Sequence, residues 1–469
     1  MKKKYRVDQI YTRCLSQMAY FIVSGNEAAV IDPLRDVDIF IKMAESEGVQ
    51  IKYIFETHFH ADFVSGHLDL QQKTGAEIIY GPGAAPAYPV YVARDGETFT
   101  LGHIRLKILH TPGHTLESVS IVLEQDGNPE AVFTGDALFA GDVGRPDLAV
   151  NEHLTEKDLA RMLFNSLQKL KKLPGRTLVY PGHGEGSACG KNIGSELVTT
   201  IGFEKKHNYL FSLNNEEDFV EQLTQDLPVP PKYFFIDAGI NKKGYPLLNE
   251  FLPGIKKMLP VADFEQKLND GKIQLLDTRP REEVLKTGII PKSLQIGLDD
   301  NFAVWAGALL DFDRELLVVA PENRIDEALI RLARVGFEKI AGVLSGGVAN
   351  WIAQGKSLQK INEVRMFELP LLRRQNIEVI DVRPQTFFKA NHLKNARNID
   401  LIELQEKIGA LDKNRKYIIH CQTGYRGMIA YSIFLQNGFQ PGNIYYLSTP
   451  FDDIVKLGEV NGEFSEIVM

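Results

Sequence analysis

Glu56-Thr57-His58-Phe59-His60-Ala61-Asp62-Phe63 follows directly on the strand-like run Ile51-Lys52-Tyr53-Ile54-Phe55. Positions 58, 60 and 62 carry two imidazoles and a carboxylate just past a strand end, where a loop can turn them toward one point. Three further elements follow in chain order: Thr111-Pro112-Gly113-His114, Thr134-Gly135-Asp136 and Tyr180-Pro181-Gly182-His183-Gly184. Each sets a His or Asp beside a glycine after an apolar run, so that a tight turn can push the side chain into a shared cleft. Any one of them reads as a scattered loop histidine or a capping aspartate. The four together, in this order, read as a metal centre.

A second chemistry lies near the other end. Lys416-Tyr417-Ile418-Ile419-His420 leads into Cys421-Gln422-Thr423-Gly424-Tyr425-Arg426 and then a helical run from Gly427 to Asn437. A thiol between a strand and a helix N-terminus meets backbone N–H groups and the positive end of the helix, so Cys421 is expected to be anionic near neutral pH. The surrounding sequence is repeated. Leu275-Leu276-Asp277-Thr278-Arg279-Pro280 is echoed by Val379-Ile380-Asp381-Val382-Arg383-Pro384, and Arg334-Val335-Gly336-Phe337 by Leu435-Gln436-Asn437-Gly438-Phe439. Each copy reads strand, turn, helix, strand, loop, helix, with Leu316–Val319 and Tyr417–Ile419 as buried strands.

With 469 residues and about 150 per domain, roughly three domains are expected. The boundaries read 1–258, 259–360 and 361–469, the first including a helical extension and the breaker run Leu227-Pro228-Val229-Pro230-Pro231. Hydrophobic residues at 44% and charged residues at 24% describe a chain that builds a core. A net charge of -8 without basic blocks argues against nucleic acid and anionic membranes as partners. The three cysteines, Cys14, Cys189 and Cys421, are far apart and odd in number, as in a reducing compartment. Met1-Lys2-Lys3-Lys4 is followed by Tyr5-Arg6-Val7-Asp8-Gln9 rather than an apolar stretch, and no run is long enough to span a bilayer. A cytoplasmic protein is expected, assembling as a homo-oligomer.

The order and context of the four metal-centre elements resemble the metallo-β-lactamase superfamily, over roughly the first 200 residues. The resemblance implies an αββα sandwich, and with the repeat the fold class becomes α/β multidomain. Hydrolytic members carry His-x-His-x-Asp-His, whereas Phe63 stands here in the last position and cannot coordinate a second metal. His58, His114 and Asp136 remain, two histidines and one carboxylate, which suits the facial triad of non-haem Fe(II) oxygenases and also a single zinc. Residues 56 to 67 look like the persulfide dioxygenase branch, especially bacterial members fused to rhodanese domains. That resemblance implies one Fe(II) per chain on His58, His114 and Asp136, with oxidation of the outer sulfur of a persulfide to sulfite. His60, Asp62 and His183 then occupy vestigial second-site positions and act by hydrogen bonding. His67, His103 and His110 read as structural. Arg145, in Asp142-Val143-Gly144-Arg145-Pro146-Asp147, is expected near the anionic groups of the thiol carrier. The tyrosine that glutathione-using members carry after the last histidine is missing from Gly184-Glu185-Gly186-Ser187-Ala188-Cys189, which leaves the carrier open. Cys189 either approaches the substrate or is a buried inert thiol; Cys14 reads as inert.

The Cys-x4-Arg spacing of Cys421 and Arg426 resembles the rhodanese active loop, one residue shorter than the Cys-x5-Arg loop of tyrosine phosphatases. The resemblance implies that Thr423 and Gly424 help bind substrate and that Cys421 carries a sulfane sulfur, with Arg426 stabilising anions. The first repeat has Ala320-Pro321-Glu322-Asn323-Arg324 at this place and no thiol, as in the inactive domains of tandem sulfurtransferases. The implied partners are a small-molecule persulfide, O2, and sulfite or thiosulfate. The combined reading is a persulfide dioxygenase followed by an inactive and an active rhodanese domain. A zinc thiolester hydrolase of the glyoxalase II type with accessory sulfurtransferase domains, and a non-catalytic sulfur carrier or sensor, stay open beside it.

Overall fold

The structure is a computed structural model describing residues 3–227, 229–368, 377–461 and 467–468. Met1 and Lys2 of the N-terminal run and Pro228 of the breaker run lie outside the described residues. The chain forms two compact units, one of Met1–Phe251 with Leu332–Gly336 and one of Leu252–Arg331 with Phe337–Met469.

In the first unit, strand Glu27–Ile31 shows how the layers arise. Successive side chains leave opposite faces of a strand, so Ala29 and Ile31 turn into the space between two sheets while Ala28 and Val30 turn outward. Six strands, from Arg6–Thr12 to Tyr91–Val92, lie in chain order in the first sheet and are parallel from Glu27–Ile31 onward. Six more, from Thr98–Leu101 to Thr199–Thr200, form the second, where the one parallel pairing joins Asn128–Gly135 to Leu178–Pro181. Tyr20, Phe55, Leu106, Ile121 and Phe133 fill the space between the sheets. Helix Asp38–Glu47 covers the outer face of the first through Phe40 and Ala44. Helix Glu156–Leu170 covers the second: Thr155 and Asp158 cap it reciprocally, and Leu163, Leu167 and Leu170 recur at helical spacing toward the sheet. The result is the expected αββα sandwich.

This sandwich places the chemistry by strand ends. His58 follows Gln50–Phe55, His114 follows Ile104–His110, Asp136 follows Asn128–Gly135 and His183 follows Leu178–Pro181. Gly135 permits the approach of the two sheets there: its φ is +49°, and a Cβ on it would lie 2.6 Å from Thr57 Oγ1.

The second unit confirms the sequence repeat strand for strand. One parallel sheet runs in the spatial order Met258–Leu259, Ile340–Leu344, Leu316–Val319, Gln274–Asp277, Leu294–Gln295. The other runs Glu363–Val364, Ile444–Leu447, Tyr417–His420, Glu378–Asp381, Ala396–Asn398. The echoed Asp-x-Arg-Pro motif is a buried ion pair in each: Arg279 Nη2 donates to Asp277 at 2.6 Å, and Arg383 Nη2 to Asp381 at 2.8 Å. Among the described residues no helix is long and apolar enough to cross a membrane.

Candidate functional site

His58 is held in one tautomer by a chain of hydrogen bonds. Thr57 Oγ1 lies 2.8 Å from Asp32 Oδ2 and 2.9 Å from His58 Nδ1. A hydroxyl has one proton, which goes to the carboxylate, so the imidazole donates from Nδ1 and keeps a lone pair on Nε2. Burial holds His58 well below the usual histidine pKa, hence neutral. His114 is fixed in the same sense, because Nδ1 donates to the Arg145 carbonyl at 2.9 Å. Asp136 Oδ1 accepts from His183 Nδ1 at 2.8 Å, which leaves Oδ2 facing His114 Nε2 at 3.5 Å and His58 Nε2 at 3.9 Å. His114 Nε2 and Asp136 Oδ2 are buried without a hydrogen-bond partner. Unpaired buried polar atoms are costly, and here they converge with His58 within 4.8 Å of one another. Two imidazoles and a carboxylate, each turned by an outer partner, fit a divalent metal.

The remaining sequence-predicted residues divide in a way the spacing did not show. His183 lies between two carboxylates, with Nε2 2.8 Å from Asp62 Oδ2. Its burial opposes charge, but Asp136 and Asp62 outweigh it and hold the imidazole well above its usual pKa. Cys189 Sγ joins Asp62 and His183 in a second buried group of possible ligand atoms. Burial, then the nearby carboxylates, push this thiol well up, so it is neutral. His60 is not with Asp62 and His183. Its Nε2 faces Asp32 at 3.1 Å and Glu56 at 3.5 Å, and its ring stacks on the fully buried Phe63 with centroids 4.3 Å apart.

Arg145, expected to meet an anionic substrate, is 2% exposed. Nε and Nη2 grip Asp147 at 2.6 and 2.7 Å, and Nη1 donates to the Ala188 carbonyl at 3.0 Å. The fork is already satisfied two residues away, and the residue's carbonyl serves His114 instead. A contact that no motif announces comes from helix Tyr233–Lys243. Asn241 Nδ2 donates to the carbonyls of His60 and Phe63 at 2.8 and 2.7 Å, and Oδ1 accepts from Ser65 N at 2.9 Å. One amide side chain, some 180 positions on, holds the loop that bears His58, His60 and Asp62.

In the second unit, Cys421 Sγ accepts the N–H groups of Gly424 at 3.1 Å and Gly427 at 3.2 Å, at the start of helix Tyr425–Gln436. A cavity of about 260 Å³ opens beside it, lined among others by Thr423, Arg426, Phe387 and Trp305. The Arg426 guanidinium lies over the Trp305 ring, 5.3 Å from its centroid. The expectation of a thiolate near neutral pH is corrected: burial raises the Cys421 pKa, and the loop N–H groups and Arg426 offset only part of that. In the first repeat, Arg324 pairs with Glu327 and Asp299, and no thiol stands at the corresponding loop.

Family models match parts of both units. The model for the metallo-β-lactamase superfamily matches residues 12–183, and that for rhodanese-like domains matches 260–354 and 369–456. A hydroxyacylglutathione hydrolase of Pelagibacter ubique is 36% identical over 176 residues, which are 36% of this chain and 68% of that protein. The crystal structure of a metallo-beta-lactamase from Staphylococcus aureus is 32% identical with a TM-score of 0.66, covering 73% of this chain and 99% of its own. A structure of ETHE1 from Myxococcus xanthus is 29% identical with a TM-score of 0.44, covering 50% and 98%.

Asn241→Ala removes three buried hydrogen bonds and is expected to lower stability by about 2–4 kcal/mol and to weaken metal retention, as read by thermal unfolding and by chelator competition. For Cys421 the sign of the pKa shift gives a second outcome. Only the thiolate alkylates, so the rate at this residue should be slow near neutral pH. It should keep rising where an exposed thiol has already levelled off. Mass spectrometry of iodoacetamide-treated protein across pH checks this, and a plateau below the ordinary thiol range would contradict it.

Proposed function

For a chain that belongs to the metallo-β-lactamase superfamily and carries tandem rhodanese-like domains behind that fold, we propose a persulfide dioxygenase coupled to a sulfurtransferase. The observation that carries the reading is the ligand set: His58, His114 and Asp136 converge, while Phe63 puts a buried apolar ring where a second metal would need a histidine. Three ligands on one face suit a single Fe(II) with positions left for dioxygen and a sulfur substrate. Held there, the ion supplies the activation of both. The reaction balances as R–S–SH + O2 + H2O giving R–SH + sulfite + 2 H+.

The residues around the ligands have separable tasks in this scheme. Thr57 with Asp32 and the Arg145 carbonyl keep the two imidazole lone pairs aimed inward. His183 holds a proton between Asp62 and Asp136 and so turns Asp136 Oδ2 to the metal. Phe63 fills its position with an apolar ring that offers no ligand to a second ion. In the second unit Cys421 takes a sulfane sulfur: R–S–SH and Cys421–SH give R–SH and Cys421–S–SH. Sulfite then attacks the terminal sulfur, the S–S bond breaks, and thiosulfate leaves with the electron pair returned to Cys421. Gly424 N, Gly427 N and Arg426 receive the charge. Because sulfite is the product of one site and the acceptor at the other, tethering both on one chain raises its effective concentration.

A second reading has its own support. The relatives named hydroxyacylglutathione hydrolase favour a zinc thiolester hydrolase, and the same three ligands accept one zinc with a bound water. Metal identity and dioxygen dependence separate the two.

Under the dioxygenase reading, His114→Ala and Asp136→Ala each abolish O2-dependent sulfite formation from persulfide, while sulfur transfer from thiosulfate to a thiol stays near native, since the two sites lie in different units. Loss of both activities in a protein folded by circular dichroism would contradict that separation. Cys421→Ser should do the converse: persulfide oxidation continues, but the product moves from thiosulfate to free sulfite. Quantifying both anions from a fixed amount of persulfide tests this, and native-rate thiosulfate formation, after correction for the uncatalysed reaction, would rule out Cys421 as the carrier.

A further inference from the structure

The ring of N–H groups around Cys421 has to be held from behind, and the holding group belongs to the repeat that lacks a thiol. A trans peptide is planar, with its C=O and N–H pointing in opposite directions. The peptide joining Thr423 to Gly424 turns its N–H toward Cys421 Sγ at 3.1 Å, so its carbonyl faces away. There it accepts from Arg281 Nη1 at 2.6 Å. The next carbonyl, of Gly424, accepts from the Tyr446 hydroxyl at 3.0 Å, and Arg281 Nη1 lies 3.4 Å from that hydroxyl. The packing is tight: a Cβ on Gly424, whose φ is +99°, would lie 2.1 Å from Arg281 Nη1 and 2.4 Å from the Tyr446 oxygen. Glycine there is required by the backbone and by the arginine together. Glu282 accepts from Arg281 Nη2 at 2.9 Å and fixes the other side of the guanidinium. In the second repeat the residue after the echoed Arg383-Pro384 is Gln385, so this arginine is particular to the first copy.

We propose that Arg281 is a positioning residue for the Cys421 site: by gripping the Thr423 carbonyl it sets the Thr423–Gly424 peptide with its N–H toward the sulfur, and Tyr446 completes the grip one peptide further on. The thiol-less repeat thus organises the anion-binding loop of the other repeat. The inference rests on the reading of Cys421 as a sulfur carrier, and it deepens that reading by naming what makes the loop receptive to a persulfide anion. Losing the grip frees the peptide to turn, and the sulfur anion loses one charge-assisted hydrogen bond.

The test is the alkylation rate of Cys421 against pH in the full-length protein, followed by mass spectrometry of the peptide that bears it, with circular dichroism as the check of folding. Arg281→Ala should slow alkylation at a fixed pH below the inflection by roughly ten- to a hundredfold, the scale of one hydrogen bond to an anion. Arg281→Lys should recover part of the loss. Tyr446→Phe changes no charge, and it should slow the reaction in the same direction by a smaller factor. If only the Arg281 variants respond and Tyr446→Phe is native-like, the arginine acts as a remote charge and the positioning role is wrong. Native rates in Arg281→Ala overturn it outright. Sulfur transfer from thiosulfate to cyanide is read on the same proteins. If the native protein transfers no sulfur while the alkylation profiles shift as described, the carrier reading fails and the positioning of the loop stands; native profiles in a protein that transfers sulfur give the reverse.

Discussion

A buried carboxylate that must remain ionised, Asp136, is the constraint around which the first unit is arranged. Burying a charge is expensive unless it is paired and hydrogen-bonded. Burial alone would raise its pKa, yet the neighbouring imidazoles, His183 above all, outweigh burial and hold the carboxyl far below the usual range. Two glycines pack against it, and a third, beside it in the chain, packs against Thr57. A Cβ on Gly144 would lie 1.9 Å from the Asp136 carbonyl oxygen, one on Gly182 2.5 Å from Oδ1, and one on Gly135 would strike Thr57. The glycines beside the metal-centre elements therefore do more than turn the chain: they let strand ends from two sheets close on a single side chain.

The second unit solves a different problem with the same economy of geometry. Its sulfur is fully desolvated, which opposes ionisation, and the loop answers with N–H groups rather than a neighbouring carboxylate or imidazole. Such a site favours a sulfur that arrives already charged or easily ionised over a bare thiol. The repeat makes this possible, since one copy carries the cysteine and the other contributes Arg281 and Trp305 to its surroundings.

Much of this was legible in the sequence. The strand runs at residues 51–55, 316–319 and 417–419 lie within strands of the structure, and His58, His114, Asp136 and the Cys421 loop stood out because glycine turns and strand ends leave local marks. What escaped has a physical pattern. Asn241 and Arg281 act across 142 positions or more through backbone carbonyls, which carry no side-chain signature in a motif. An arginine in a loop near a metal suggests a free fork, whereas Asp147 pairs with Arg145 from two residues away. The resemblance groups His60 with Asp62 and His183, while the loop turns its Nε2 toward Asp32 and Glu56. The acidity of Cys421 was overstated because helix and loop donors can be read locally and burial cannot.

The proposed activity requires three ligands that hold one redox-active metal and act on a persulfide. It is tested most directly by loading the full-length protein anaerobically with Fe(II), and in parallel with Zn(II), and then measuring O2 uptake and sulfite release with glutathione persulfide alongside hydrolysis of a glutathione thiolester. The account predicts one metal per chain, one O2 consumed per sulfite formed on the iron protein, and no comparable thiolester hydrolysis on either form. Two tightly held zinc ions per chain, or thiolester hydrolysis by the zinc form without any O2 uptake by the iron form, would contradict it.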